Sequence, residues 1–424
     1  MQIVVFITRK IFLQKHFPNV IIIEIYSKGE EKSMKRKLSL LLCLLMLITM
    51  ITACAKEQGT STDQGTDSDV IKIGVFEPLT GENGGGGQQE TDGIIYANKI
   101  YSEVLGKKVE LVIVDNKSDK GEGANAVTRL IEKEKVVAII GSYGSGVSIA
   151  AGDIIKNAKI PTIAPSATNP MVTQGNEFYF RACFLDPFQG RVMANYALGK
   201  GAKTAAVIMQ NGDDYSVGLG NFFIDAFKEL TGDEKSIVDV SMFQTNDTDF
   251  NAILTNIKAK NPDVIFAPSS ATTAPLIIKQ ARALGIKSLI MGGDTWENPA
   301  VIDVAGADAE GIALSTFFDE SDPATKEAKS FVEGYKKELG DKEPIIPAVA
   351  ALGYDAYIIL LDAIERAGST DGTAIKDALN ATKDFEGVTG IINFTEEGDA
   401  DKNTAVIKTV KEGLFVYIDT VEVK

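Results

Sequence analysis

The chain has 424 residues, 45% of them hydrophobic, and a net charge of −15 at neutral pH. That length suits two domains of ordinary size, and the acidity disfavours nucleic acid, whose recognition needs clustered Lys and Arg. The one histidine, His16, lies in a stretch expected to be lost from the mature protein, which sets aside Ser-His-Asp, Cys-His and His-ligated metal chemistry.

Charge is unevenly spread. Residues 1–53 carry eight Lys/Arg against three Asp/Glu, a surplus of five positive charges, so the remainder stands at −20. Residues 1–33 read as a spurious upstream extension, because an ordinary secretory signal begins at Met34. Lys35-Arg36-Lys37 is followed by fourteen almost wholly apolar residues, 38–51, and then by Ile51-Thr52-Ala53-Cys54. A basic start, a short apolar run and a small residue before the cut describe a signal peptide over 34–53. The uncharged run of 18 residues falls short of the ~20 of a comfortable membrane span. Ile51-Thr52-Ala53-Cys54 resembles the bacterial lipobox, which implies a lipid on Cys54 and a body anchored to the outer face of the cell membrane. Residues 54–69 hold that cysteine and a polar, Gly/Ser/Thr/Asp-rich tether without apolar periodicity. Of the other cysteines, Cys43 falls in the signal, and Cys183 reads as a small buried hydrophobe.

From Val70 onward, short apolar runs alternate with amphipathic stretches. Val/Ile-rich segments over 70–76, 109–115, 136–140, 204–209, 263–267 and 288–291 read as buried strands bounded by Gly, Pro or Asp. Between them, Ile94, Ala97, Ile100, Tyr101 and Val104 fall on one helical face, and Phe222, Ala226, Phe227 and Leu230 on another. The pattern predicts an α/β protein of parallel sheets covered by helices on both faces. A body of ~355 residues exceeds one such core, so two doubly wound lobes follow.

Ligands of open α/β sheets bind at the carboxyl ends of strands. The segments to inspect are therefore 77–87, 141–148, 164–170, 210–218, 268–273 and 292–298. Neither Gly84-Gly85-Gly86-Gly87 nor Gly141, Gly144 and Gly146 has the spacing of a nucleotide loop. Residues 141–148, GSYGSGVS, precede a predicted helix over 149–158. Hydroxyls and free N–H groups there suit a carboxylate, or simply cap the helix. The 163–170 segment offers carbonyls and the Thr168 hydroxyl to an ammonium group. Asp294 can supply an opposing carboxylate or serve as a turn residue. Together the three pieces suit a zwitterion.

In this order, Glu77-Pro78-Leu79-Thr80-Gly81, Gly141-Ser142 with Ser145, the run 160–170, Phe180-Arg181 with Asp186-Pro187-Phe188-Gln189-Gly190, Asp214-Tyr215-Ser216-Val217-Gly218, Gly292-Gly293-Asp294-Thr295-Trp296 and Tyr354-Asp355-Ala356 resemble the branched-chain amino-acid-binding proteins of type I periplasmic-binding-protein fold. The similarity covers residues 70–424. It implies two doubly wound parallel-sheet lobes joined by a three-crossover hinge, lobe one from 70–186 and 318–388, lobe two from 187–317 and 389–424. It also implies a non-enzymatic receptor for an ABC importer, needing no cofactor or metal, monomeric, partnered by the importer's membrane subunits and by the membrane through Cys54. Ser145 is then expected to bind the cargo carboxylate. The Ser166 carbonyl, the Thr168 hydroxyl and Asp294 should take the ammonium, Tyr215 should close over the ligand, and Trp296 should wall its side chain. The family often places an aromatic where Gly86 stands, which leaves space or mobility there and puts an aliphatic cargo in question. The rival cargoes are a short amide, a urea-like or an aromatic solute, and the rival role is a ligand-sensing receptor.

Overall fold

The computed structural model describes residues 69–340 and 345–422, so the expected upstream extension, the signal, Cys54 and the tether as far as residue 68 lie outside the described residues. The body opens with β1 (Val70–Glu77), α1 (Gly84–Ile100), β2 (Glu103–Val104), β3 (Lys107–Asp115), α2 (Lys120–Arg129), β4 (Ala138–Ile140), α3 (Ser145–Ala158), β5 (Thr162–Ala164) and β6 (Tyr179–Arg181). The strands form a sheet in the order β2-β3-β1-β4-β5-β6, parallel except for the short β2 edge. Period-two alternation places Ile71, Ile73 and Val75 of β1 in one core. Phe76 joins Val127, Ile139 and Ile155 in the core on the opposite face.

The chain then crosses to a second sheet through α4 (Asp186–Gly199), β7 (Ala205–Gln210), α5 (Asp214–Thr231), β8 (Ile237–Phe243), α6 (Asn251–Lys260), β9 (Val264–Phe266), α7 (Ala274–Ala283), β10 (Leu289–Gly292), α8 (Pro299–Ala305) and β11 (Ala313–Thr316). It returns through α9 (Lys326–Leu339), α10 (Ala348–Ala367), α11 (Gly372–Asn380) and the hairpin β12 (Phe385–Gly387) to β13 (Gly390–Ile392). It then goes back to end in β14 (Thr404–Lys411) and β15 (Leu414–Glu422). The second sheet has the order β15-β14-β11-β10-β9-β7-β8. Its alternation is equally clear: Ala205, Val207 and Met209 face one core, Ala206 and Ile208 the other. Three passes between the sheets make the expected two-lobed, doubly wound α/β architecture.

Several local expectations are corrected. The all-parallel reading fails at the chain's end, where β14 and β15 are antiparallel to their neighbours. The helical face assigned to Ile94–Val104 stops at Ile100, and Val104 belongs to β2. In α5 it is Phe223 that is fully buried, with Phe222 at the margin. The helix expected over 149–158 begins four residues earlier, at Ser145.

Helix α10, nearly apolar all round, crosses α1 at close range. A Cβ on Gly93 would stand 2.0 Å from the Ala350 carbonyl oxygen, and one on Gly353 would stand 2.3 Å from that of Glu90. Backbone atoms cannot yield as a side-chain tip can. Gly93→Ala is therefore expected to destabilise the protein by about 1–3 kcal/mol despite the better helix propensity of Ala. Gly199→Ala, at the end of α4 with nothing within 4 Å of the added carbon, should be neutral or mildly stabilising. Denaturant midpoints of the two variants check the contrast.

Candidate functional site

The carboxyl ends of both sheets face one another, and side chains join them across the cleft. Glu82 accepts from Gln210 Nε2 at 3.2 Å and from Ser270 Oγ at 2.9 Å. Lys120 pairs with Asp214 at 2.8 Å, and Asn169 Nδ2 donates to the Asp214 carbonyl at 2.8 Å. The lobes are thus clasped, and the groups between them are buried.

On the first-lobe side, Ser145 is the first residue of α3. Its hydroxyl oxygen accepts from the Asn169 N–H at 3.3 Å, which ties the helix start to the loop after β5. In that loop the Ser166 hydroxyl donates to Glu90 Oε2. The Thr168 carbonyl accepts from the Asp186 N–H at 3.0 Å, while the buried Thr168 hydroxyl has no partner among the described residues. The loop is shaped from behind by Arg181. Its guanidinium donates to the Ala167 and Asn169 carbonyls, both at 2.8 Å, and pairs with Asp399 at 2.6 Å.

On the second-lobe side, Asp294 Oδ1 accepts from Gln189 Nε2 at 2.8 Å and from the Tyr215 hydroxyl at 2.9 Å. The two donors come from the first turns of α4 and α5, so three chain segments converge on one carboxylate. Trp296 is placed differently. Its ring lies over Gly292 and is fully enclosed in the second-lobe core, with Nε1 unpartnered among the described residues. Of the six expected ligand residues, then, Ser145, Ser166 and Thr168 lie together on one lobe and Tyr215 and Asp294 on the other. Trp296 stands behind the latter pair in the chain's next turn.

Residues to which the sequence reading gave no role complete the site. Glu77, Glu90 and Asp186 are all fully buried, and Glu90 and Asp186 lie in the field of Asp294. Burial is the leading cause of every shift among them. It pushes Asp294 up to about 6, with the Gln189 and Tyr215 hydrogen bonds pulling back. Asp186 rises to about 8. Glu90 rises to about 8, and Glu77, which meets Glu90 in a carboxyl–carboxyl contact, is raised as well. Glu77 also accepts from the Tyr143 N–H at 2.7 Å. The hollow expected at Gly86 is filled: a Cβ there would fall 2.4 Å from Tyr143 Cζ and 2.7 Å from its hydroxyl. The aromatic missing from α1 is supplied by the 141–148 loop.

A family model described as periplasmic binding protein matches residues 70–413. The Leu/Ile/Val-binding protein homolog 3 of Brucella melitensis is 28% identical over 360 residues, 82% of this chain and 94% of its own. A Pseudomonas aeruginosa protein described as binding leucine, isoleucine, valine, threonine and alanine is 27% identical over 341 residues, covering 78% and 87%. Among solved structures, the leucine-binding protein LivK of Thermotoga maritima is 42% identical with a TM-score of 0.79, covering 83% of this chain and 99% of that one. LivJ of Streptococcus pneumoniae, in complex with isoleucine, is 33% identical with a TM-score of 0.77 and the same coverages.

The buried acids have a consequence for stability. A carboxyl raised by folding binds its proton more tightly in the native than in the unfolded chain, so stability falls as pH rises from the unfolded value near 4 to the native one. For Asp186 that window runs to about 8. Both its oxygens are unpartnered among the described residues, so Asp186→Asn keeps the shape and removes the titration. The unliganded wild type should lose thermal stability between pH 5 and pH 8 by more than Asp186→Asn does. Parallel melting curves across that range check it.

Proposed function

The chain belongs to the periplasmic binding protein family, among its branched-chain amino-acid-binding members, and from that premise we propose that it is the extracytoplasmic solute-binding lipoprotein of an ABC importer, closing two lobes on a small amino acid. Members of this family bind substrates and are not enzymes. The observation that carries the cargo assignment is the opposition of two polar sets across a buried cleft. One is the hydroxyl-rich start of α3 with the Ser166–Thr168 loop, and the other is Asp294 held by Gln189 and Tyr215. Unsatisfied buried groups, the Thr168 hydroxyl and Gln189 Oε1 among them, await partners, and an unpaired buried polar group costs about 1–3 kcal/mol.

In this reading the Ser145 hydroxyl and the N–H groups opening α3 hold the α-carboxylate, favoured by the helix terminus. The Ser166 carbonyl and Thr168 hydroxyl accept from the α-ammonium, and Asp294 completes that cage from the other lobe. Tyr215 closes over the cargo while orienting Asp294, and Trp296 backs the pocket wall through the turn they share. The lobes are 70–186 with 318–403, and 187–317 with the strands from Thr404 on; the last boundary falls later than the expected 388/389 because β13 pairs with β12 and Asp399 bridges to Arg181 of β6. The cargo favours the closed form because its contacts lie on both, and Glu82, Lys120 and Asp214 add clasps of their own. A monomer suffices for this work. Lipid on Cys54 keeps it beside the importer's membrane subunits.

The test is thermal unfolding of the soluble body, stripped of ligand by unfolding and refolding, against the twenty amino acids and a few amides. A cargo at a thousand times its Kd should add about 4 kcal/mol. Asp294→Ala should weaken the best ligand more than tenfold, since it leaves a buried ammonium unpaired. Because the cargo cation needs Asp294 ionised, affinity should rise with pH through about 6. A flat profile with unchanged affinity in the variant would overturn the proposed cage.

A further inference from the structure

Tyr143 is the one large side chain of the 141–148 loop, two residues before Ser145. Three observations fix its place. Its backbone N–H is held at 2.7 Å by the fully buried Glu77. Its ring occupies space that only a glycine at 86 leaves open, since any Cβ would overlap ring carbon and hydroxyl alike. The hydroxyl lies in the field of Asp294, Glu90, Glu297 and Glu77, acids contributed by both lobes. A buried phenol carries one donor and two lone pairs, and is costly when they find no partner. A ligand that offers the hydroxyl a partner as it covers it gains over one of the same shape that cannot.

We propose that Tyr143, seated on Gly86, is the specificity-determining residue of the cargo pocket. Its hydroxyl selects an amino acid whose side chain carries a hydrogen-bonding group over the hydrocarbon isostere. The inference rests on the amino-acid reading above and adds to it. The ring bounds the length of side chain admitted, and the hydroxyl sets the polarity of the pocket's end.

Two near-isosteric pairs read this directly by calorimetry on the soluble body: threonine against valine, and asparagine against leucine. The better binder of at least one pair should be the polar member, by about fivefold or more. Tyr143→Phe, which keeps the ring, should bring that ratio close to one. Gly86→Ala, which must push the ring aside, should erase the same preference and relax the limit on side-chain length. Valine and leucine binding as well as or better than their polar partners in the wild type would overturn the proposal, as would a polar preference that survives in Tyr143→Phe. If no amino acid binds at all, the amino-acid reading itself fails and the selectivity falls with it, an outcome distinct from the other two.

Discussion

The buried guanidinium of Arg181 is the contact on which the site depends. It sits at the end of β6 with no exposed surface. It donates to three carbonyls of the 166–170 loop, those of Ala167, Asn169 and Pro170, to the Thr173 hydroxyl at 2.8 Å and to the Asp399 carboxylate. A buried loop has no water to satisfy its carbonyls, and a fixed fork of donors answers several at once. With Ala167 and Asn169 held against the arginine, the backbone of Ser166 and Thr168, beside and between them, is fixed as well. The same ion pair reaches 218 residues along the chain. Residues 398–400 lie against β6, where the Arg181 N–H donates to the Gly398 carbonyl at 2.9 Å. Loop shape and interlobe strand are therefore set by one cation, and the Asp399 charge is what makes its burial affordable.

Charge in the cleft follows a different logic. Glu77, Glu90, Asp186 and Asp294 are all buried, and no lysine or arginine pairs with any of them among the described residues. Desolvation drives them toward the neutral form when the cleft is empty. The site is thus less anionic than its residue list suggests, and becomes anionic where a cation enters. The second lobe carries a contrasting arrangement nearby. Lys408, almost wholly buried, pairs with Glu297 and with Asp319 at 2.9 Å, so these acids are already neutralised by the protein. One set of carboxylates is paired with a lysine of the fold, and the other has no lysine or arginine partner among the described residues.

Much of this was legible in the sequence, for identifiable reasons. The central strands were read because both their faces are covered, which writes long Val/Ile runs bounded by turn residues. β6, β8 and β11 are short or partly exposed and were passed over. The strands at the chain's end escaped because β15 alternates buried and exposed residues on an open edge. Gly84–Gly87 read as loop because glycine is a poor helix former. In the structure these residues open α1, and the lost propensity is offset by close approach: Gly86 meets the Tyr143 ring and Gly87 the Pro78 carbonyl. Ser145, Thr168 and Asp294 could be singled out because they follow strands in recognisable motifs. Glu90, the seventh residue of α1, has no such signal. Its role exists only because α1 points it at Ser166.

The Lys408 triad also bears on the order in which the molecule can be made. Glu297 and Lys408 are 111 residues apart, and the antiparallel pairing of β11 with β14 spans a similar distance. Between them the chain must build the helices that cover the other sheet. Such discontinuous pairing gives a high contact order and slow folding. The second lobe's core cannot close, nor its buried Glu297 find a cation, until the final strands are present. A chain emerging from one end therefore holds this core open until β14 has been made.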